Sequence, residues 1–366
     1  MDNYRPLPGT PVKDLDTPCL LIDLDALDHN FAVAAETYRD SECKMREHTK
    51  NIKSPLLALR QMKAGGTVGG VCSAKLAEAE VMVEGGIHDV LIPNQVVTRD
   101  KITRLCSLAR TADMKVVVDD PRNLRDISEI AHVQGVTIGI LIEVDTSMHR
   151  AGIRHADQGV ELAKLARDLP GVAFRGVMSH QSLRGTPDKE TRYIEGRRYI
   201  QMCLDVKDAI EAAGIPVEIV STGETWTYDV SAEIPGVTEV EGGSYALMST
   251  MSDYMTEFRY AAKILGTVIS ALRPGIAVGD VGTRALGLFW GILPELEGVP
   301  GVAVDTIHDE HVVFRSEGTM PLKVGDQFLL RSGQQDMTVN RWDQYIAVRN
   351  DVVEAVWDIP ARGCHH

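Results

Sequence analysis

The sequence predicts an α/β chain built as a (β/α)8 TIM-like barrel followed by a C-terminal all-β domain. Three observations carry that expectation. Between about Glu42 and Met248, short β-branched runs alternate with longer segments of helical period, the pattern of repeated βα units and a parallel sheet. The runs number about eight, enough to close a barrel. Beyond about Tyr254 the texture changes to short strands separated by turn signals such as Arg273-Pro274-Gly275 and Val324-Gly325-Asp326.

Taken in order, Pro18 to Asp23 reads as a strand outside the barrel series that pairs with the later sheet. The β domain is then discontinuous, comprising residues 1–23 and 254–366, and the barrel occupies residues 24–253. Barrel strands are expected at Glu42 to His48, Thr67 to Cys72, Asp89 to Ile92, Lys115 to Asp119, Thr137 to Asp145, Ala173 to His180, Val217 to Ser221 and Thr238 to Glu241. Helical patterns fall at Ser54 to Met62, Ala74 to Glu84, Arg99 to Ala109, Asn123 to His132, Gln158 to Asp168 and Thr191 to Ala213. An open doubly wound sheet would bind its ligand at one switch point. Here polar and Gly residues recur after almost every strand, which favours a closed ring. The β domain takes Ile264 to Leu272, Ile276 to Val281, Val302 to Ile307, Val312 to Ser316, Gln327 to Arg331, Tyr345 to Val348 and Val352 to Trp357.

Composition narrows the function. With 366 residues, 44% of them hydrophobic and 25% charged, the chain can bury a barrel-sized core and a smaller one. A formal net charge of -14 argues against nucleic-acid and anionic-membrane partners, which require clustered Lys and Arg, and favours a small-molecule substrate. The six cysteines have no CxxC spacing and read as reduced thiols of a cytoplasmic protein. Met1 to Thr10 shows no export signal, and no apolar run approaches the ~20 residues that span a bilayer. The closing Cys364-His365-His366 carries no chemical weight.

In a barrel, functional groups collect at the carboxyl ends of the strands. The run Arg46-Glu47-His48-Thr49-Lys50 puts a lysine just past the first strand, where its amine can form a Schiff base if desolvation or a cationic neighbour lowers its pKa. His48 and Arg46 are the neighbours the sequence offers; the alternative is a surface lysine. After the later strands come Cys72-Ser73, Asn94, Asp119, Asp145 with Arg150 nearby, His180-Gln181, Ser221-Thr222-Gly223 and Gly242-Gly243-Ser244-Tyr245. Small residues after strands seven and eight let backbone N–H groups approach a phosphate, although Gly-Gly-Ser is also common in plain turns. His180 reads either as a structural histidine or as a ring contact that titrates near neutrality. His308-Asp309-Glu310-His311 lacks a helical metal-binding frame and reads as a solvated loop.

These features together resemble the D-threonine aldolase and D-serine dehydratase family of pyridoxal-phosphate enzymes, with the alanine-racemase-like fold (fold type III). The resemblance rests on Asp16-Thr17-Pro18-Cys19-Leu20, His48-Thr49-Lys50, Glu78-Ala79-Glu80, the run from Gly85 to Ile92, Glu143-Val144-Asp145, Gly243-Ser244-Tyr245 and Asp309-Glu310-His311. It continues through Asp336, Thr338-Val339-Asn340, Ala355-Val356-Trp357 and Ala361-Arg362-Gly363, so it covers nearly the whole chain.

The resemblance implies that Lys50 binds pyridoxal 5′-phosphate as a Schiff base and acts on the substrate. It also implies that Thr222, Gly223, Gly243 and Ser244 hold the phosphate, that His48 lines the site, and that Arg150 approaches the cofactor's ring oxygen. Arg150 alone would read as a surface ion pair. Tyr245 is a lesser candidate beside the phosphate, or barrel packing. Relatives bind a divalent metal through His-x-Asp or His-x-Cys; the matching residues here are Gln334 and Asp336, an oxygen-only pair that leaves Mn, Mg or Zn dependence open.

Two further departures stand out. The usual Gly-rich stretch after strand seven has become Thr222-Gly223-Glu224, and His180 stands where relatives commonly carry tyrosine. The implied activity is a lyase cleaving small D-β-hydroxy amino acids, with His180 a substitute base, in a homodimer. An amino-acid racemase, a D-serine-dehydratase-like enzyme and a non-catalytic pyridoxal-phosphate carrier are the alternatives.

Overall fold

The computed structural model describes residues 4–183, 188–288 and 291–366. It divides into two compact units. One comprises Met1–Phe31, Asn51–Lys53 and Ser244–Gly363, and the other Ala32–Lys50, Ser54–Gly243 and Cys364–His366. The first strand, β1 (Cys19–Asp23), belongs to the former.

The second unit is a closed barrel of β2 (Lys44–His48), β3 (Thr67–Cys72), β4 (Asp89–Ile92), β5 (Asp113–Val118), β6 (Ile138–Asp145), β7 (Val172–His180), β8 (Ile219–Thr222) and β9 (Glu239–Gly242). All its pairings are parallel, and β9 returns to β2 through Lys44 opposite Glu239 and Glu47 opposite Gly242. β6, Ile-Gly-Ile-Leu-Ile-Glu-Val-Asp, is buried along its whole length, as a strand covered on both faces requires. Cys72, Leu91, Val117, Leu141, Met178 and Ile219, one from each of β3 to β8, pack as a core layer. Each buried aliphatic chain contributes roughly 1.5–3 kcal/mol.

Between strands, the helices start and stop where local chemistry directs. Pro121–Gln134 is capped by the Asp120 carboxylate, which accepts from Arg122 and Asn123 N–H, carries proline in its first turn and ends at left-handed Gly135. The helix Leu24–Thr37, absent from the sequence expectation, precedes the barrel strands.

At the amino end of the barrel lies an ion-pair ladder. Arg46, 2% exposed, donates to both oxygens of Glu239 at 2.9 and 2.8 Å and to Asp89 at 2.5 Å. Lys115 bridges Asp89 at 3.1 Å and Asp113 at 2.7 Å, and Arg175 bridges Asp113 at 3.7 Å and Glu218 at 2.7 Å. Arg46 is therefore committed to the residues that open β4 and β9. The expectation that it lines the mouth beside Lys50 is corrected, because two carboxylates hold its fork at the other end.

In the first unit, β10 (Ala262–Ser270), β11 (Ile276–Gly279), β12 (Glu295–Leu296), β13 (Val302–Ile307), β14 (Val312–Ser316), β15 (Gln327–Arg331), β16 (Gln344–Arg349) and β17 (Val352–Asp358) complete a sheet ordered β13-β14-β11-β10-β1-β16-β17. β1 runs antiparallel to β10 and parallel to β16, as the early Pro18 to Asp23 run suggests. Leu15, Cys19, Leu21, Leu265, Ile346, Val348 and Val353 form its core. This unit is not purely β: Gln335–Val339 forms a short helix, held by Ser332 Oγ and Thr338 Oγ1 at 2.6 Å and by Thr338 Oγ1 donating to Gln334 O at 3.0 Å. No helix among the described residues is long and apolar enough to cross a membrane.

Candidate active site at the barrel mouth

β2 hands the chain to Lys50 through a pinned turn. Thr49 N donates to Cys72 O at 2.9 Å, and Thr49 Oγ1 lies 3.0 Å from Ser73 Oγ, so the turn is tied to the end of β3. The positive charge of Lys50 reaches Cys72 at the end of β3, His180 at the end of β7 and Glu224 just beyond β8.

Beneath it, His48, Cys72 and Glu241 are all buried, with one ligand atom from each lying within 4.8 Å of the others. Cys72 Sγ donates to Glu241 Oε2 at 3.1 Å and Ser221 Oγ donates to Oε1 at 3.0 Å. Burial, with Glu241 beside it, lifts the Cys72 thiol well above its usual range, and burial pushes the Glu241 carboxyl up to about 7. The trio has the N, S and O composition of a transition-metal site, but the thiol and carboxyl hold each other through a hydrogen bond.

His180 closes β7, and burial, reinforced by the charges of Lys50 and Arg150, pushes its imidazole down to about 3. The next residue, Gln181, is fully buried, and neither atom of its amide has a hydrogen-bond partner among the described residues. Leaving such a group unsatisfied costs about 1–3 kcal/mol, which marks the spot as one that a polar ligand would relieve.

The loop after β8 shows how each predicted anion contact is used. Thr222 Oγ1 is 2.6 Å from Ser179 Oγ, so its hydroxyl is engaged with β7. Gly223 has φ +107, and a Cβ there would sit 2.1 Å from Ser231 Oγ, so glycine is required twice over. Ser231 Oγ is itself buried with no partner among the described residues. Gly243 N donates to Thr225 Oγ1 at 3.1 Å, joining the ends of β8 and β9. Arg150 is half exposed and pairs with Glu143 Oε1 at 3.5 Å, while Gln95 donates to the other oxygen of Glu143 at 2.5 Å.

The remaining candidates lie in the first unit. Ser244 Oγ accepts from Asn51 Nδ2 at 3.4 Å. Tyr245 is fully buried, with its ring against Phe258 at 5.5 Å and Phe31 at 6.3 Å between centroids, the packing alternative. Gln334 Oε1 is buried without a partner among the described residues, and Asp336 Oδ1 accepts from Met337 N at 2.8 Å.

Sequence reasoning places Lys50, His48, His180, Thr222, Gly223 and Gly243 at the mouth but misses Glu241. The signal was present: Glu239 and Glu241 stand two apart on one strand and so face the same side. The partnership of Glu241 with Cys72, 169 residues away, carries no local signal.

Residues 22–249 match the family model "Alanine racemase, N-terminal domain" and residues 261–348 match "Putative serine dehydratase domain". The chain is 36% identical to 3-hydroxy-D-aspartate aldolase of Paracoccus denitrificans (strain Pd 1222), with 98% of this chain and 95% of that protein covered. It is 33% identical to D-threonine aldolase of Arthrobacter sp, with 97% and 95% covered. The crystal structure of D-threonine aldolase from Filomicrobium marinum superposes with a TM-score of 0.94 at 33% identity, with 99% of this chain and all of that one covered. With a closed eight-stranded parallel barrel and likeness along its full length to these aldolases, the chain belongs to the D-threonine aldolase and D-serine dehydratase family of alanine-racemase-like proteins.

Proposed function

We propose that this protein is a pyridoxal-phosphate-dependent lyase that cleaves small D-configured β-hydroxy amino acids by retro-aldol reaction, with Lys50 carrying the cofactor. The observation that carries the reading is Lys50 itself, which follows β2 at the carboxyl end of a closed parallel barrel and is tied through Thr49 to the end of β3. The residues fit such a cofactor: an amine at a strand end, a glycine at φ +107 with no room for a Cβ, a buried unsatisfied Ser231 hydroxyl beside it, and the unsatisfied Gln181 amide. When bound, the cofactor supplies the electron sink that stabilises the carbanion left by Cα–Cβ cleavage.

In this reading Lys50 would hold the cofactor's aldehyde, and its amine would be the group placed to move a proton at the substrate Cα. Gly223, Thr222, Gly243 and, next in the chain, Ser244 hold the phosphate, chiefly through backbone N–H groups, since the Thr222 hydroxyl is engaged with Ser179. An imidazole held at about 3 stays neutral at working pH and is a feeble base, so His180 suits contact with the cofactor ring better than deprotonation of the β-hydroxyl. His48, buried two residues before Lys50, lies within 4.8 Å of the hydrogen-bonded Cys72–Glu241 pair. Gln334 and Asp336 offer two oxygen donors, one of which already accepts the Met337 N–H, so they make a poor site for Zn and at most a weak one for Mg or Mn.

The test is spectroscopic and chemical. Purified protein with pyridoxal phosphate develops a visible absorbance band that Lys50→Ala lacks, and it releases aldehyde from D-threonine or 3-hydroxy-D-aspartate. Release of an α-keto acid in place of aldehyde would replace the aldolase reading with a dehydratase; equal absorbance in Lys50→Ala would remove the assignment of Lys50.

A further inference from the structure

Resting on the cofactor reading above, we propose that Glu224 makes cofactor capture proton-linked: the phosphate is accepted only while the Glu224 carboxyl keeps its proton. Glu224 stands inside the loop that would meet the phosphate, directly after Gly223. Its backbone is extended (φ -153), and its N–H donates to Thr227 Oγ1 at 3.0 Å, so it cannot easily swing out. Its side chain turns inward: Oε1 accepts from Leu183 N at 3.1 Å, joining the loop after β8 to the segment after β7.

Among the described residues, Lys50, after β2, is the cation whose field reaches it. His180, on β7, is neutral. On the helical turn that follows, Asp229 is already bonded to Arg192 and Tyr193, and Tyr228 is buried. Glu241 on β9 is engaged by Cys72 and Ser221. An ionised Glu224 would therefore set a second anion beside the phosphate, with Lys50 the cation among the described residues whose field reaches it. A protonated carboxyl removes the repulsion and can donate its O–H to a phosphate oxygen.

Burial pushes this carboxyl up to about 8, against the opposing pulls of the Leu183 N–H and of Lys50. The sign follows directly. Binding that requires the proton is complete below about 8 and is lost as pH rises through it.

The experiment titrates pyridoxamine 5′-phosphate, which carries the phosphate and ring but no aldehyde, into the full-length protein and into Glu224→Gln and Glu224→Gly. Binding is followed by calorimetry from about pH 6 to about pH 9.5. Titration of the ligand itself is common to all three proteins and cancels in the comparison. The wild-type association constant is expected to fall, relative to both variants, by up to about tenfold per pH unit above about pH 8. Glu224→Gly removes the carboxyl altogether and carries the test if the glutamine variant folds poorly. Identical pH profiles in the wild type and the variants would overturn the role of Glu224 while leaving the cofactor reading intact. Absence of binding in all three at every pH would overturn the cofactor reading, and this inference with it.

Discussion

The two ends of the barrel use ionisable side chains in opposite ways. At the amino end, Arg46, Lys115 and Arg175 alternate with Glu239, Asp89, Asp113 and Glu218, so that each charge is answered by its neighbours. At the mouth, burial presses the ionisable groups toward neutrality: His180 is pushed down to about 3, with the charges of Lys50 and Arg150 adding to the effect, Glu241 up to about 7 and Glu224 up to about 8. Paired charges on a barrel floor fix strand ends and contribute to stability. Polar groups held neutral at the carboxyl ends of barrel strands suit proton exchange and an anionic ligand, which is the reading proposed for this end.

The sharpest way to break this contrast is to remove the amine. Lys50→Ala should abolish aldehyde release while leaving the urea midpoint close to wild type, because the residue belongs to the mouth and not to the ladder; a large loss of stability would blur the division. The converse is Arg46→Ala, which strands Glu239, 3% exposed, without its partner. It should destabilise the fold by about 3–5 kcal/mol in equilibrium unfolding, with cofactor still captured per folded molecule. A change below about 1 kcal/mol would show the ladder to be ornamental. Gly223→Ala comes next: it forces an L-residue to φ +107 and drives a methyl into Ser231, so a loss on the order of 1–2 kcal/mol is expected together with weaker cofactor binding. Unchanged stability and affinity would mean that the loop relaxes freely.

The smallest expected effect concerns pH. Asp89 is held below its usual range by Arg46 and Lys115, so its contribution is present above the ordinary carboxylate pKa and lost as pH falls below it. Glu241 is raised instead, so the folded state is favoured most near and below its unfolded pKa of about 4.5 and loses ground as pH climbs to about 7. Glu241→Gln should flatten the decline in urea midpoint between about pH 5 and pH 8 without altering the acid limb. An unaltered decline would assign it to other groups.

Much of the framework was legible because the βα alternation is local. Thr67–Cys72 and Asp89–Ile92 form strands at the expected limits, and Cys19–Asp23 joins the later sheet. Leu24–Thr37 was not legible as a helix: its run mixes Asp25, Asp28, His29 and Asn30 with apolar residues, and Asn30 is fixed by donating to Ala246 O and Arg259 O, more than two hundred residues on. Gln335–Val339 is too short to carry a period and is defined by the hydroxyls of Ser332 and Thr338. At the site, Lys50 and the glycines could be read from strand-end position. The Cys72–Glu241 bond, the Arg46 ladder and the inward turn of Glu224 could not, because each joins residues that only barrel closure brings together.

The most direct test of the central claim is reductive trapping. Protein incubated with pyridoxal phosphate and reduced with borohydride should, after digestion and mass spectrometry, carry the pyridoxyl group on the peptide containing Lys50 and on no other. Label on Lys53 or on scattered surface lysines, or no label at all, would contradict it.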